Sequence, residues 1–237
     1  MTIQYVPYVT TPAGACLTEK NWHELGIHYA LCGLADMVIK PGLAFWQKGM
    51  DLKTYLAWDG RVILDARDFS LNGRGEFVVQ SPYDGSRVVL SLDQFWDLVH
   101  QLKPDVLLKP QFLETELIAK EQSNLFPQMQ SLGYQPSDGI LFQYDGHPLY
   151  VSDRPARDAL QGKVYQSDGL LSLQDPLYAL DFQLLEAHCA CPTCQQSFTR
   201  AYLHHLLQST PLLCQRLLMM HNVFWIRNYL NNISYAY

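Results

Sequence analysis

Apolar and polar positions along the chain change period several times, and each change marks an element. Gln4–Val9 is extended, and Thr18 to Leu25 predicts a short helix. His28 to Cys32 is an apolar strand, and Pro41 and Gly49 bracket a helix over Gly42–Lys48. Arg61–Asp65 reads as a strand that ends in a carboxylate. Phe77–Gln80 and Arg87–Leu90 flank Pro82-Tyr83-Asp84-Gly85-Ser86, a hairpin turn signal. Ser91 and Gln94 form a capping box for a helix to about Lys103, which Pro104 closes. Asp105–Leu108 is the next strand, and Glu114–Gln122 is predicted helical. Ile140–Tyr144 and Leu149–Ser152 are strands around Asp145-Gly146. Lys163–Tyr165 and Leu170–Leu173 form a second hairpin around Ser167-Asp168-Gly169. Phe198 to Gln208 is one helix; Thr210 caps another, with Pro211 at its first position, running to about Tyr229. Strands alternate with helices through the first half, so the expectation is an α/β fold with a parallel sheet and crossover helices.

Composition narrows the class. A hydrophobic share of 48% and a charged share of 17% over 237 residues describe a globular chain, long enough for one large α/β domain or two small ones. The formal charge of −6 argues against a dedicated nucleic-acid-coating protein but leaves room for local basic patches. The start, Met1-Thr2-Ile3-Gln4-Tyr5-Val6, shows no basic stretch before an apolar run, and no apolar run is long enough to cross a bilayer. The expectation is a cytoplasmic protein without a membrane partner, in which thiols stay reduced.

Cysteine placement carries the strongest chemical signal. Of six cysteines, Cys189, Cys191 and Cys194 fall within six positions, and His221 follows inside the last helix. Three thiolates and an imidazole make the tetrahedral set that Zn²⁺ prefers. A closed set of four leaves no position for substrate, so the expected cofactor is a structural Zn²⁺ that staples the cysteine loop to the C-terminal helix. His204 and His205 are rival fourth ligands, of which neighbours on one helix could supply one; His188 is a weaker candidate. Three buried thiols beside a core histidine is the alternative, and metal-free thiol clusters are unusual in reducing compartments. Cys16, Cys32 and Cys214 lie alone on apolar stretches and read as small core residues.

Cys189-Ala190-Cys191-Pro192-Thr193-Cys194, Thr199-Arg200-Ala201-Tyr202-Leu203-His204-His205-Leu206 and His221-Asn222 together resemble the tRNA-guanine transglycosylases, or queuine tRNA-ribosyltransferases. One extra residue stands between Cys194 and Thr199. Leu17-Thr18-Glu19, Gly49-Met50-Asp51-Leu52, Trp58-Asp59-Gly60, Ile63-Leu64-Asp65, Ser81-Pro82-Tyr83-Asp84-Gly85 and Ser167-Asp168-Gly169 follow at similar spacing. The likeness covers roughly residues 5–108 and 148–230. It implies a TIM-barrel-derived, incomplete (β/α) barrel with a zinc-binding subdomain near the C-terminus. The expected division is a barrel-like domain over residues 1–160, then the hairpin, zinc segment and C-terminal helices over 161–237.

The resemblance also implies exchange of a guanine base in tRNA, with one carboxylate attacking the anomeric carbon, a second group protonating the leaving base and an aromatic platform for the flipped nucleotide. The family's Asp-Ser-Gly-Gly-Phe/Tyr-Gln block corresponds to Asp65-Ala66-Arg67-Asp68-Phe69-Ser70. Asp65 and Phe69 remain, while Arg67 and Asp68 replace glycines that let backbone approach a base. Capping of the next turn is the other reading of Asp65. The family's nucleophile position falls on Val151 in Tyr150-Val151-Ser152-Asp153-Arg154-Pro155-Ala156-Arg157, which cannot attack. Asp153 is two residues on, about 6–7 Å along the same strand face, and is either a displaced nucleophile or a salt-bridged surface group. Arg157 matches a tRNA-contacting position, with a plain ion pair as the alternative, and Gln111 stands where the family reads the guanine edge with acidic groups.

Two functions follow. One is a diverged transglycosylase with Asp65 and Asp153 as catalytic carboxylates and Phe69, Gln111 and Arg157 binding substrate or RNA. The other is a non-catalytic, zinc-stapled module that binds RNA or a partner subunit. Both bring tRNA and a homo- or hetero-dimer partner into the expectation, and the missing nucleophile and altered Asp65–Ser70 block favour a degenerate site.

Overall fold

The computed structural model describes residues 2–110, 130–135 and 139–234. Gln111 and the expected helix at Glu114–Gln122 lie outside the described residues. In chain order the elements are β1 (Gln4–Val6), α1 (Glu19–Glu24), β2 (Tyr29–Gly33), α2 (Leu34–Met37), α3 (Leu43–Trp46), α4 (Leu52–Leu56) and β3 (Arg61–Asp65). There follow β4 (Ser70–Leu71), β5 (Phe77–Gln80), β6 (Arg87–Leu90), α5 (Leu92–Leu102), β7 (Val106–Leu108), β8 (Gln130–Gln135), β9 (Gly139–Tyr144) and β10 (His147–Val151). The chain then forms α6 (Arg154–Leu160), β11 (Lys163–Gln166), β12 (Gly169–Ser172), α7 (Arg200–Ser209) and α8 (Pro211–Ser234). This is a mixed α/β protein.

Its contacts sort it into two compact units, one made of Met1–Pro7, Pro12–Ile27 and Ser131–Tyr237, the other of Tyr8–Thr11 and His28–Gln130. Residues on either side of position 160 fall in the same unit. The reason is local: α6 packs on α8 and on β11, so no boundary opens where the barrel-like part was expected to stop.

In the unit built around His28–Gln130, β2, β3 and β7 form a parallel sheet in that order, with Cys32 opposite Leu64 and Leu64 opposite Leu107. Val62, Ile63 and Leu64 are fully buried, as a parallel strand covered on both faces requires. Asp105 accepts from the Val62 amide at 2.8 Å and from Lys53 Nζ at 3.1 Å, which ties the entry of β3 to that of β7. Helix α5 opens on the expected box: the Gln94 amide donates to Ser91 Oγ at 3.2 Å and the Ser91 amide to Gln94 Oε1 at 2.9 Å. It buries Phe95, Trp96, Leu98, Val99 and Leu102. Between β3 and α5 the antiparallel sheet β4-β5-β6 brings Phe77 against Phe95, rings stacked at 4.4 Å. The helix expected at Gly42–Lys48 begins later, at Leu43. Lys40, ahead of Pro41, is extended, and Gly42 turns the chain at φ +105° before the helix can start.

In the other unit, the sheet order is β1-β10-β9-β8, with β1 parallel to β10 and Val6 opposite Val151. Asp145 and Gly146 both take positive φ, 48° and 75°, which matches the two-residue hairpin read from the sequence. Strands β11 and β12 form the second expected hairpin, with Val164 opposite Leu171. Helix α8 runs past Tyr229 to Ser234, since no glycine or proline interrupts Leu212–Ser234.

Candidate metal centre

The cysteine loop and α8 converge as the spacing suggests. Helix α8 has His221 on its buried side, fully shielded, with Leu218 and Val223 in the core beside it. The loop from Cys189 to Cys194 folds over that face. Thr193 anchors it by donating from Oγ1 to the Leu217 carbonyl at 2.6 Å. Amide hydrogens point at sulfur, Cys194 N to Cys191 Sγ at 3.3 Å and Cys191 N to Cys189 Sγ at 3.5 Å. The loop leaves through Ser197 in the left-handed region, φ 58°.

The result is a cluster of Cys189, Cys191, Cys194 and His221 whose ligand atoms all lie within 4.8 Å of one another. His221 Nδ1 stands 3.7, 3.4 and 3.3 Å from the sulfurs of Cys189, Cys191 and Cys194. A tetrahedron with metal–sulfur bonds of about 2.3 Å and a metal–nitrogen bond of about 2.0–2.1 Å has sulfur–nitrogen edges of about 3.5 Å. The cage therefore has the size of a four-coordinate metal site. The other ring nitrogen, Nε2, lies 2.8 Å from the Tyr165 carbonyl and donates to it, which leaves the Nδ1 lone pair facing the sulfurs. The four groups also share protons among themselves. Hydrogen bonds from the Cys191 and Cys194 thiols hold Cys189 far below its ordinary range. Burial pulls the His221 imidazole down, but the Cys189 and Cys191 sulfurs and the Tyr165 carbonyl outweigh it and bring it up to about 10.

The rival histidines are elsewhere. His204 Nδ1 donates to the Leu173 carbonyl at 2.7 Å, and its Nε2 accepts from Gln208 at 2.9 Å. Neither His188 nor His205 is in the cluster.

The expected catalytic and RNA-binding residues are distributed differently. Asp65 ends β3 and is 8% exposed. Its carboxylate is saturated: Oδ1 accepts from the Arg67 amide at 3.0 Å and Arg67 Nε at 2.8 Å, and Oδ2 from Arg67 Nη2 at 2.6 Å and the Tyr8 hydroxyl at 3.3 Å. Burial and the Asp65 charge raise the Tyr8 phenol above its ordinary range, and the hydrogen bonds from its guanidinium to Asp65 raise Arg67. Phe69 is 4% exposed and sits edge-on to Phe77 and Phe95, centroids 5.9 and 6.0 Å away. Val151 ends β10 and is 2% exposed. Asp153 stands just before α6 and accepts from Arg157 Nε at 2.9 Å, one turn on, so these two are partners. Asp65 and Phe69 belong to one unit, Asp153 and Arg157 to the other, and Gln111 lies outside the described residues. Sequence reasoning overlooked Tyr8, whose part in the Asp65 cluster depends on a contact across 57 positions. It also overlooked α6, although Asp153 before Arg154-Pro155 is a helix-start pattern.

A mixed α/β chain with a Cys₃His cage closed on a C-terminal helix defines a class of scaffold rather than an activity. The particular family comes from comparison. The sequence model of the queuine tRNA-ribosyltransferase family matches residues 140–236. A queuine tRNA-ribosyltransferase of Nitrosomonas europaea is 38% identical over 101 residues, 43% of this chain and 27% of that protein. Those of Francisella tularensis subsp. mediasiatica and subsp. novicida are 33% and 32% identical over the same shares. The chain thus matches about a quarter of the length of these relatives. Residues 140–236, which hold the Cys₃His cage, are the part of the chain that matches the queuine tRNA-ribosyltransferase family. Among the described residues no helix is long and apolar enough to cross a membrane.

Proposed function

We propose that this chain is a tRNA-guanine transglycosylase-like protein that keeps the family's zinc-stapled scaffold and has lost base exchange, serving as a tRNA-binding or partner-subunit module. The scaffold in this reading is a shortened (β/α) barrel, to which β2-β3-β7 contributes consecutive parallel strands. Cys189, Cys191, Cys194 and His221 would hold Zn²⁺, which supplies no reactive position when four protein ligands close around it. Its work is to join the cysteine loop to α8. A cytoplasmic place of action belongs to the same reading, because tRNA is the substrate class.

The observation that carries the loss of catalysis is Val151. It takes the family's nucleophile position, lies buried on β10 and has no lone pair to offer. The state of Asp65 supports the same conclusion. A carboxylate that already accepts four hydrogen bonds, two from a guanidinium, is a poor proton carrier and a poor nucleophile. Phe69, spent on the aromatic core, offers little face to a flipped base.

The test is exchange of labelled guanine into tRNA by the purified protein, with Asp65→Ala and Asp153→Ala variants alongside, and tRNA retention by filter binding in parallel. The expected result is tRNA retention with incorporation no greater than in the variants. Incorporation clearly above both variants would overturn the reading and restore Asp65 and Asp153 as a working pair.

A further inference from the structure

The pair His221-Asn222 does more than offer one ligand. Strand β11 pairs with β12 along one edge only. On its other edge the backbone of Tyr165 and Lys163 must find partners, and two consecutive side chains of α8 provide them. The Tyr165 carbonyl accepts from His221 Nε2 at 2.8 Å. The Tyr165 amide donates to Asn222 Oδ1 at 3.1 Å. Asn222 Nδ2 donates to the Lys163 carbonyl at 3.0 Å and to the Pro155 carbonyl, at the start of α6, at 3.3 Å. Both side chains are fully buried. A primary amide carries one acceptor and two donors, and here all are used against main chain.

We propose that His221 and Asn222 act together as a surrogate strand on the open edge of β11, which makes Asn222 a positioning residue of the metal centre. A single carbonyl links the two roles. The Tyr165 oxygen decides which ring nitrogen carries hydrogen and how the imidazole is turned. Asn222 holds the strand just ahead of that carbonyl, through the Lys163 oxygen and the Tyr165 amide. With Asn222 truncated, the Tyr165 carbonyl is free to drift, and Nδ1 no longer has a fixed aim at the cage. Partners of metal-bound histidines change metal affinity about 10- to 100-fold when removed, and a residue that fixes such a partner acts through the same step. Asp158 supports β11 from α6, accepting from the Tyr165 hydroxyl at 2.9 Å and from Arg154 Nε at 3.2 Å, but it touches the side chain of Tyr165 rather than its carbonyl.

This inference rests on the proposed zinc reading, and the experiment separates the two. Zinc affinity of the wild type, Asn222→Ala, His221→Ala and Leu218→Ala is measured by chelator competition, and cobalt is substituted to read the ligand field. Wild type binding less than one equivalent of zinc would refute the metal reading itself. Given stoichiometric wild-type binding, the expected results are affinity about 10-fold or more weaker in Asn222→Ala with a shifted cobalt spectrum, and loss of the site in His221→Ala. Leu218→Ala removes core packing from the same helix and should leave the cobalt spectrum unchanged. Wild-type affinity and spectrum in Asn222→Ala would overturn the positioning role. Hydrogen exchange on the wild type provides a reading that needs no variant. Chelation should unprotect the Tyr165 amide while the Tyr150 amide in β10 stays protected, and a Tyr165 amide indifferent to metal would overturn the coupling.

Discussion

Replacing Arg67 by alanine tests whether Asp65 is held by the chain itself. The Asp65 carboxylate has four donors, and the substitution removes the two from the guanidinium, at 2.8 and 2.6 Å. The Arg67 amide and the Tyr8 hydroxyl remain. Stripping the partner from a fully buried ion pair costs about 3–5 kcal/mol. That figure is too large here, because the guanidinium is 34% exposed, water screens it, and two donors stay in place. A net loss of about 1–3 kcal/mol follows from one to two charge-assisted hydrogen bonds. The assay is a double-mutant cycle by urea unfolding, with Asp65→Asn as the second arm. Trp46, Trp58 and Trp96 belong to the same unit as the pair and report its unfolding by fluorescence. The expected coupling energy is about 1–2 kcal/mol. An Arg67→Ala cost that is equal in the wild-type and Asp65→Asn backgrounds would refute the reasoning. Asp65 would then be an open carboxylate, and the case for a silent site would lose its second support.

Phe69→Ala should cost about 3–5 kcal/mol, since the ring is buried between Phe77 and Phe95; unchanged stability with weakened tRNA retention would mean that the ring faces substrate. Ser91→Ala removes the acceptor of the Gln94 amide and should cost about 1 kcal/mol, read as a lower urea midpoint without a change in slope. Burial raises the thiols of Cys16, Cys32 and Cys214 to about 11, 12 and 12 from an ordinary 9.0. Folding keeps these protons while the unfolded chain releases them, so their contribution is full below pH 9 and falls as pH rises from there toward 11–12. Native protein at about pH 8 should therefore resist alkylation at all three, and peptide mapping after brief iodoacetamide treatment checks this.

Much of the chain was legible because its signals are local. The Ser91/Gln94 box, the Asp145-Gly146 turn and the β11–β12 hairpin each depend on residues a few positions apart, and local hydrogen bonds decide them. The cysteine cluster was legible for a chemical reason, since three thiols in six positions followed by a histidine make a metal-ligand set. Its fourth ligand was not decided by spacing. His204, His205 and His221 all lie on the two helices that follow, and only the packing of α8 turns His221 toward the sulfurs. Pairing of β1 with β10 joins residues about 145 positions apart and leaves no mark in either strand's pattern. Asp65 was visible as a strand-end carboxylate, but Tyr8 reaches it from far along the chain, and the way Arg67 folds back to it is a matter of side-chain geometry.

Scaffold and chemistry respond differently to substitution here. A cage that holds a metal tolerates little, since replacing one ligand would leave the buried Cys191, Cys194 or His221 that remain unsatisfied. The same holds for Asn222, a fully buried amide whose three hydrogen bonds end on main-chain groups. Val151 carries no such demand. An aspartate in its place would have to be buried at the end of β10, and valine fits a strand better than a charge does. Arg67 likewise settles Asp65 by supplying a partner for its buried carboxylate. On the proposed reading, each change at the reaction positions would relieve a cost that a working active site must bear, whereas each residue kept at the cage would avoid one. A chain selected for its shape and its RNA or subunit contacts alone would drift in this direction. Restoring Val151→Asp together with Arg67→Gly should therefore lower stability by several kcal/mol, through a newly buried charge and a lost ion pair, whether or not base exchange returns.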